Sequence, residues 1–395
     1  MELNEKQKIG LDIAVKRYQE HKKYTVISGY AGSGKSTLVR FIVSALGVSE
    51  EKICYACYTG KAAQVLLKKG NKNVWTLHKL LYDSRPVGDG KFIHVPKENI
   101  DYDIVIVDEV SMAPRELMRL LFTHPVYVIC LGDPFQLPPV DKDQDNGLLA
   151  EPHIFLDEIM RQAQESEIIR LTMKIRAGEP LPLFDGKDVK IVDKNNFTAG
   201  MMMWADQILC GTNTTRQSLN QQMRAMLGKS GPPQDGDKII CLRNYWDDVA
   251  DNGDPLVNGT IGFLKDPYTT PWYYSKVLNY HGPNPPKMDV TVGHFISDSG
   301  AGFSDLRIDQ TLLETGEKGI PSKMAFAISK KKSAQHLLPK DFAYGYAITT
   351  HKAQGSQWDN VLVTEEYFPY DKIEHARWLY TACTRAVEKL VIVRA

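Results

Sequence analysis

Nine consecutive residues, Gly29-Tyr30-Ala31-Gly32-Ser33-Gly34-Lys35-Ser36-Thr37, constrain this chain more than any other stretch. They fit the pattern G-x-x-x-x-G-K-[ST] without a mismatch. Tyr24 to Ser28 before them reads as a buried strand, and Leu38 to Leu46 after them as a helix. Glycines at 29, 32 and 34 let the backbone curl so that its N–H groups face a phosphate chain. The helix start adds a partial positive charge at the same place. Lys35 is expected to reach the β- and γ-phosphates and the Ser36 hydroxyl to ligate Mg²⁺. The alternative is a chance Gly-rich turn before a helix, which leaves the agreement of strand, loop and helix unexplained. The motif itself specifies only a nucleoside triphosphate.

Composition narrows the rest. The chain has 395 residues, enough for two or more domains. Lys plus Arg number 48, as do Asp plus Glu, which excludes a globally basic nucleic-acid binder but not a local basic groove. The opening residues lack the apolar core of a signal peptide, and no apolar run is long enough to span a membrane. The six cysteines are scattered. Cys54 and Cys57 form a lone C-x-x-C that reads better as two buried strand residues than as a zinc or redox site. A reducing, cytoplasmic setting is the expectation.

In chain order, Leu3 to Tyr18 reads as an opening helix carrying Gln7, placed either to read an adenine edge or as a solvated helix residue. A second strand, Lys52 to Tyr58, runs into Thr59-Gly60-Lys61 and a helix. Such a turn at the end of a parallel strand is where open α/β sheets bind ligands, here a nucleic-acid phosphate; a plain helix cap at Thr59 accounts for the residues equally well. His78 follows as a polar contact or a helix-start histidine. Between Asp83 and Asn99, Pro86, Gly88, Gly90 and Pro96 surround a short apolar run, which predicts a small hairpin with Phe92 and Ile93 as a wedge or as buried residues. Ile104 to Val107 is a central strand ending in Asp108-Glu109. With a phosphate loop upstream, Asp108 is expected to hold Mg²⁺ and Glu109 to orient or deprotonate water. Tyr127 to Leu131 is another strand, leading into a proline-rich loop where Gln136 is placed to sense a γ-phosphate.

A second α/β region follows, with strand Gln207–Cys210 and a helix from Thr214 to Leu227. From about 264 to 336 the composition shifts to Pro, Gly, Tyr and Trp, predicting a small β module of SH3-like size; Lys330 to Lys332 in it reads as a solvated face or a phosphate contact. A final helix, about Glu374 to Glu388, is expected to carry Arg385, before a closing strand Leu390–Val393.

Taken together, GYAGSGKST, YTGKAA, TLH, DEVSM, GDPFQLPPV, LDEIMRQ, VNGTIG, ITTHKAQGSQWDNV and LYTACTRA, in this order, resemble superfamily 1 DNA helicases, specifically the RecD and Dda-like branch. The resemblance implies an α/β fold of two RecA-like P-loop domains. A small hairpin is inserted in the first and an SH3-like β module in the second. The expected bounds are 1–153 for the first domain, with the hairpin at about 83–99. The second covers 154–263 and 337–395, around the module at 264–336.

The resemblance also assigns roles. It carries Gln7 to the adenine, and Gly29, Ala31, Gly32, Ser33, Gly34, Lys35, Ser36 and Thr37 to the phosphates, with Gln354 and Gly355 also at the ATP site. Asp108 and Glu109 become the metal and water residues and Gln136 the sensor. Arg161 and Arg385 become arginine fingers, a role suited to a guanidinium fork that neutralises transition-state charge. Thr59, Gly60, Lys61, His78, Phe92, Asn213, Asn258, Thr350, His351 and Lys352 become DNA contacts. The implied activity is ATP-dependent, Mg²⁺-dependent unwinding of DNA by 5′-to-3′ movement on a single strand. The rivals are a translocase that strips proteins from DNA and a single-strand binding module switched by ATP. Partners would be single-stranded DNA and single-strand/duplex junctions, with replication, repair or recombination proteins as candidates. No membrane and a monomer are expected.

Overall fold

The structure, a computed structural model, describes residues 2–86, 92–138, 142–252, 255–273, 286–321, 338–367 and 371–394. Its contacts divide the chain into two units: Met1–Tyr82, Pro96–Thr212 and Thr349–Ala395 form one, and Asp83–Val95 and Asn213–Ile348 the other.

The first unit holds two α/β lobes. The chain enters through α1 (Glu5–Gln19), whose start is closed by a reciprocal capping box between Asn4 and Gln7. There follow β1 (Tyr24–Gly29), α2 (Lys35–Leu46), β2 (Ile53–Cys57), α3 (Gly60–Lys68), β3 (Val74–Thr76) and α4 (Leu77–Leu81). Strands β4 (Tyr82–Pro86) and β5 (Phe92–Pro96), which between Asp83 and Val95 belong to the other unit, form a two-stranded sheet of their own. Then come β6 (Ile104–Val107), α5 (Arg115–Thr123), β7 (Tyr127–Gly132) and β8 (Ile154–Leu156). The first lobe's sheet has the order β3-β2-β6-β7-β1-β8, with every neighbouring pair parallel.

Alternation explains why continuous apolar runs form these strands. Ile104 and Ile106 pack with Ala14, Leu38 and Ile42 on one face, while Val105 and Val107 pack with Leu77, Leu81, Leu117 and Met118 on the other. A strand covered on both faces must be apolar at every position. The crossover order puts β1 and β6 on either side of β7, so their C-terminal ends, bearing the phosphate loop and Asp108-Glu109, open on the same edge.

The second lobe begins with α6 (Arg161–Gln164) and α7 (Glu167–Ala177), capped by Ser166 at its start and Gly178 at its end. It continues through β9 (Phe184–Asp185), β10 (Val189–Asp193), α8 (Ala199–Trp204) and β11 (Gln207–Cys210). Within this unit its strands are ordered β11-β20-β21-β10-β9, where β20 is Trp358–Thr364 and β21 is Ala386–Arg394.

The other unit contains α9 (Asn213–Met226), β12 (Lys238–Cys241), β13 (Tyr245–Val249), β14 (Pro255–Leu256), β15 (Ile261–Tyr273), β16 (Lys287–Ser297), β17 (Gly302–Asp309), α10 (Gln310–Thr315) and β18 (Phe342–Tyr344). Its five-stranded sheet runs β17-β16-β15-β12-β18, antiparallel at each neighbouring pair. The composition shift at 264–336 therefore marks the long central ribbon, while β12 and β18 outside that span complete the sheet. Buried Asp237 anchors the unit, taking Arg224 Nε at 3.2 Å, the Tyr346 hydroxyl at 2.9 Å and the Gln234 amide at 2.8 Å. The basic run Lys330 to Lys332 lies outside the described residues.

The chain returns through β19 (Ala347–Thr349) and α11 (Thr350–Ala353) to β20, then α12 (Lys372–Cys383) and β21. The last helix is shorter than the sequence suggested. It ends at Cys383, and Ala386 to Arg394 joins β20 and β10 as a parallel strand. The expected strand at Leu390–Val393 is present and begins earlier, at Ala386, where it pairs with Trp358 of β20 and so takes up the residues the helix was expected to end on. Arg385 consequently sits in the turn between helix and strand, not on a helix face.

Candidate active site

The phosphate loop joins β1 to α2 with positive φ at Gly32 and Gly34. At Gly34, φ is +81° and a β-carbon would overlap the Gln7 amide nitrogen, so only glycine fits. The first turn of α2 has no side-chain cap, so its amides remain available to an anion. Lys35 Nζ lies on the carbonyls of Gly29 at 2.7 Å and Tyr30 at 3.1 Å. Ser33 Oγ is buried without a hydrogen-bond partner, and Ser36 is exposed. Gln7 is not the solvated residue that its helix position allowed: it is fully buried, with Nε2 3.4 Å from Ser33 O and from Met160 Sδ.

Asp108 and Glu109 follow β6. Asp108 Oδ1 accepts the Glu109 amide at 2.9 Å. Burial and then the Glu109 charge push the Asp108 carboxyl up, while that amide and Lys35 pull it down. Glu109 itself has φ 51° and ψ 47°, a left-handed conformation uncommon outside glycine, which costs about 1–2 kcal/mol. Strained backbone is held at a site where the surrounding contacts over-determine it. These residues fit a magnesium–triphosphate group: uncapped amides and a lysine for the anion, and beside them a carboxylate whose ionised form a cation would favour.

Residues from the second lobe reach this edge. The Tyr380 hydroxyl accepts the Ala31 amide at 2.9 Å and donates to Asp133 Oδ2 at 2.6 Å. Thr381 Oγ1 accepts the Leu137 amide at 3.0 Å, and Gln354 Nε2 donates to the Leu137 carbonyl at 2.8 Å. Between these anchors sits Gln136, buried, with Oε1 lacking a partner. Arg176 of α7 stacks on the Tyr30 ring at 3.5 Å. Tyr380, Thr381 and Arg176 were not singled out from sequence. The first two lie inside LYTACTRA, whose arginine drew the attention; nothing in the sequence marked Arg176.

Arg385 is buried, with Nε on Thr381 O at 3.1 Å, one terminal nitrogen on Ser356 O at 3.4 Å and the other on Thr384 Oγ1 at 3.0 Å. Its guanidinium is therefore held within its own lobe. Arg161 begins α6; its side chain lies outside the described residues.

The expected nucleic-acid contacts divide by accessibility. Thr59 caps α3, its Oγ1 accepting the Ala62 amide at 3.2 Å, and Gly60 and Lys61 form the first turn. His78 lies between the rings of Tyr58 at 5.8 Å and Tyr82 at 6.3 Å. Gly355, at φ +76°, brings its backbone against α3, where a β-carbon would meet Thr59 Oγ1 and Ala62 at 3.0 Å. Lys352 is exposed and His351 half-buried, with burial holding the imidazole below its ordinary pKa. Thr350 is fully buried, its hydroxyl 3.4 Å from Cys210 O, which removes its side chain from any surface. In the other unit Asn213 is exposed, and the Asn258 amide donates to Asn244 Oδ1 at 2.9 Å. The side chains of Phe92 and Ile93 lie outside the described residues.

Cys54 and Cys57 are buried in β2, where burial pushes the Cys54 thiol up to about 12. Among the described residues no group of three or more His, Cys, Asp or Glu could hold a metal, and no helix is long and apolar enough to cross a membrane.

Comparison with known proteins agrees with this geometry. A AAA domain model matches residues 2–197, and a UvrD-like helicase C-terminal domain model matches 344–393. The chain is 26% identical over 398 residues to the ATP-dependent RecD2 DNA helicase of Deinococcus radiodurans, covering 93% of this chain and 46% of that one. It is 31% identical over 176 residues to the ATP-dependent DNA helicase dda of Enterobacteria phage T4, covering 43% and 40%. It thus spans less than half the length of either relative. Bacteroides Pif1 bound to single-stranded DNA superposes with a TM-score of 0.53 at 18% identity, covering 99% of this chain and 92% of that one. Pif1 helicase from Candida albicans gives 0.51 at 18%, covering 100% and 94%. The fold is thus the mixed α/β helicase fold with two RecA-like domains. On its motifs, its two matched domains and these relatives, the chain is similar to the RecD and Dda-like branch of the superfamily 1 helicases.

Proposed function

We propose that this chain is an ATP-dependent DNA helicase that moves 5′ to 3′ along single-stranded DNA and separates duplex. The observation that carries the reading is the convergence on one sheet edge of the phosphate loop, the Asp108-Glu109 pair and the α12 residues Tyr380 and Thr381. That arrangement supports a site whose chemistry depends on the relation between two lobes. The relatives' names, a RecD2 and a dda helicase, point the same way.

In this reading Lys35 leaves the carbonyls of Gly29 and Tyr30 for the β- and γ-phosphates, and the α2 amides take the remaining charge. Ser36 and Asp108 would hold Mg²⁺, which would supply neutralisation of the phosphate charge. Glu109 accepts a proton from the attacking water, and Gln136 orients it. Arg385 must exchange its carbonyl partners for the γ-phosphate, so its parked position is the state before hydrolysis. Lobe closure and reopening then move the DNA grip formed by Thr59, Gly60, Lys61 and His78 against that of His351 and Lys352.

We retain the sequence-based domain bounds, with β4–β5 as an inserted hairpin and the module around β15–β17 as SH3-like. A monomer acting in replication, repair or recombination inside the cell completes the proposal. A duplex with one single-stranded tail tests it: a 5′ tail should support ATP-dependent unwinding and a 3′ tail should not. Unwinding from the 3′ tail alone would overturn the polarity. Vigorous DNA-stimulated ATPase without unwinding from either tail would favour the protein-stripping translocase.

A further inference from the structure

We propose that Tyr380 is the positioning residue that makes hydrolysis conditional on lobe position. It does so by holding the phosphate loop and the Gln136 loop through one hydroxyl. The inference rests on the helicase reading above and deepens it.

The Tyr380 side chain is 1% exposed and comes from α12 of the second lobe. Its hydroxyl uses both its capacities across the lobe boundary. It accepts from Ala31 N, inside the phosphate loop, and donates to Asp133 Oδ2, at the exit of β7. Asp133 is 1% exposed, and its other oxygen accepts the Phe135 amide at 3.0 Å, which shapes the turn leading to Gln136. The Tyr380 ring packs edge-on against Phe135 at 5.2 Å. The same turn is held at Leu137 by Thr381 and Gln354.

A displacement of α12 therefore breaks the Ala31 and Asp133 bonds together, leaving a buried carboxylate short of a donor and the sensor loop held from the second lobe by Gln354 without its α12 partners. Burial pushes the Asp133 carboxyl up, and Lys35, the Tyr380 hydroxyl and the Phe135 amide pull it back down, so the tyrosine bond is among those that favour its ionised form. With both hydrogen bonds of its hydroxyl committed to Ala31 and Asp133, Tyr380 acts through those two residues.

The test is steady-state ATPase of the full chain with and without a single-stranded oligonucleotide. Tyr380→Phe keeps the ring packing and removes the hydroxyl. It should lower the DNA-stimulated kcat at least tenfold, about 1.4 kcal/mol, while KM for ATP and the half-saturating oligonucleotide concentration stay within twofold. Tyr380→Phe combined with Asp133→Ala should be no slower than Asp133→Ala alone, because the two act as one unit. A stimulated kcat within twofold of wild type, or losses that multiply in the double variant, would overturn the proposal.

If Tyr380→Phe does not fold, Asp133→Asn decides instead. It retains an oxygen for the tyrosine to donate to and should keep at least tenfold more activity than Asp133→Ala; equal loss would refute the role. A wild-type protein that DNA does not stimulate overturns the helicase reading instead, and the same double-variant comparison on its unstimulated rate still judges Tyr380.

Discussion

Gln354 donates its side-chain amide to the carbonyl of Leu137 at 2.8 Å, and both residues are buried. The resemblance placed Gln354 at the nucleotide; the structure engages it one residue beyond Gln136. It thus holds the backbone from which the sensor projects, and a change there reaches the nucleotide through that loop.

Gln354→Ala should therefore leave the Leu137 carbonyl unsatisfied, at a cost of about 1–3 kcal/mol. We expect a lower unfolding midpoint and a reduced DNA-stimulated kcat, with nucleotide affinity changed less than threefold. Titration with a fluorescent ADP analogue checks this. A wholesale loss of binding would put Gln354 in direct contact with the nucleotide.

Glu109→Gln separates binding from chemistry. The amide cannot accept the water's proton, so turnover should fall by about 10²-fold or more while ATP still binds. Lys35→Ala should weaken both. Steady-state ATPase and equilibrium binding on the same preparations distinguish them, and a normal rate in Glu109→Gln would remove Glu109 from the mechanism.

Arg385 makes three bonds within its own lobe, so its substitution tests structure and catalysis at once. Arg385→Lys should retain part of the packing but lack the planar fork, and we expect single-turnover hydrolysis to drop by about 10³-fold or more. Single-turnover rates and thermal midpoints together resolve the two roles. A lysine variant that is stable and fully active would show that the guanidinium serves only packing.

Glu365 offers a pH test. Burial pushes its carboxyl up, but His375 Nε2 at 3.0 Å and Arg394 Nε at 2.7 Å outweigh this and hold it below the usual range. A folded pKa below the unfolded one means the contribution is complete above the unfolded carboxylate range, about pH 4.3. It is lost as pH falls through the folded value. Glu365→Gln should lower stability by about 1–3 kcal/mol at pH 7 and narrow the gap to wild type towards pH 3. Denaturant midpoints across that range measure it; a gap independent of pH would refute the assignment.

The sequence by itself determined the parts whose physics is local. A glycine pattern, a strand before it and a helix after it specify the phosphate loop, because no other residues permit that backbone. Ile104 to Val107 specify a strand buried on both faces, and Asp108-Glu109 at its end are readable as soon as the loop is known.

What only the tertiary structure decided depends on partners far away in the chain. Gln7 read from its helix alone as either an adenine contact or a solvated residue; it is buried against the phosphate loop 26 residues on. Thr350 looked like a surface contact and is buried against Cys210, 140 residues back. Tyr380 meets Asp133 across 247 residues, a pairing set by how α12 packs and carried by no local pattern. The end of α12 at Cys383 was decided the same way: the closing strand that the sequence placed at Leu390–Val393 begins already at Ala386, where it pairs with Trp358 of β20, 28 residues back.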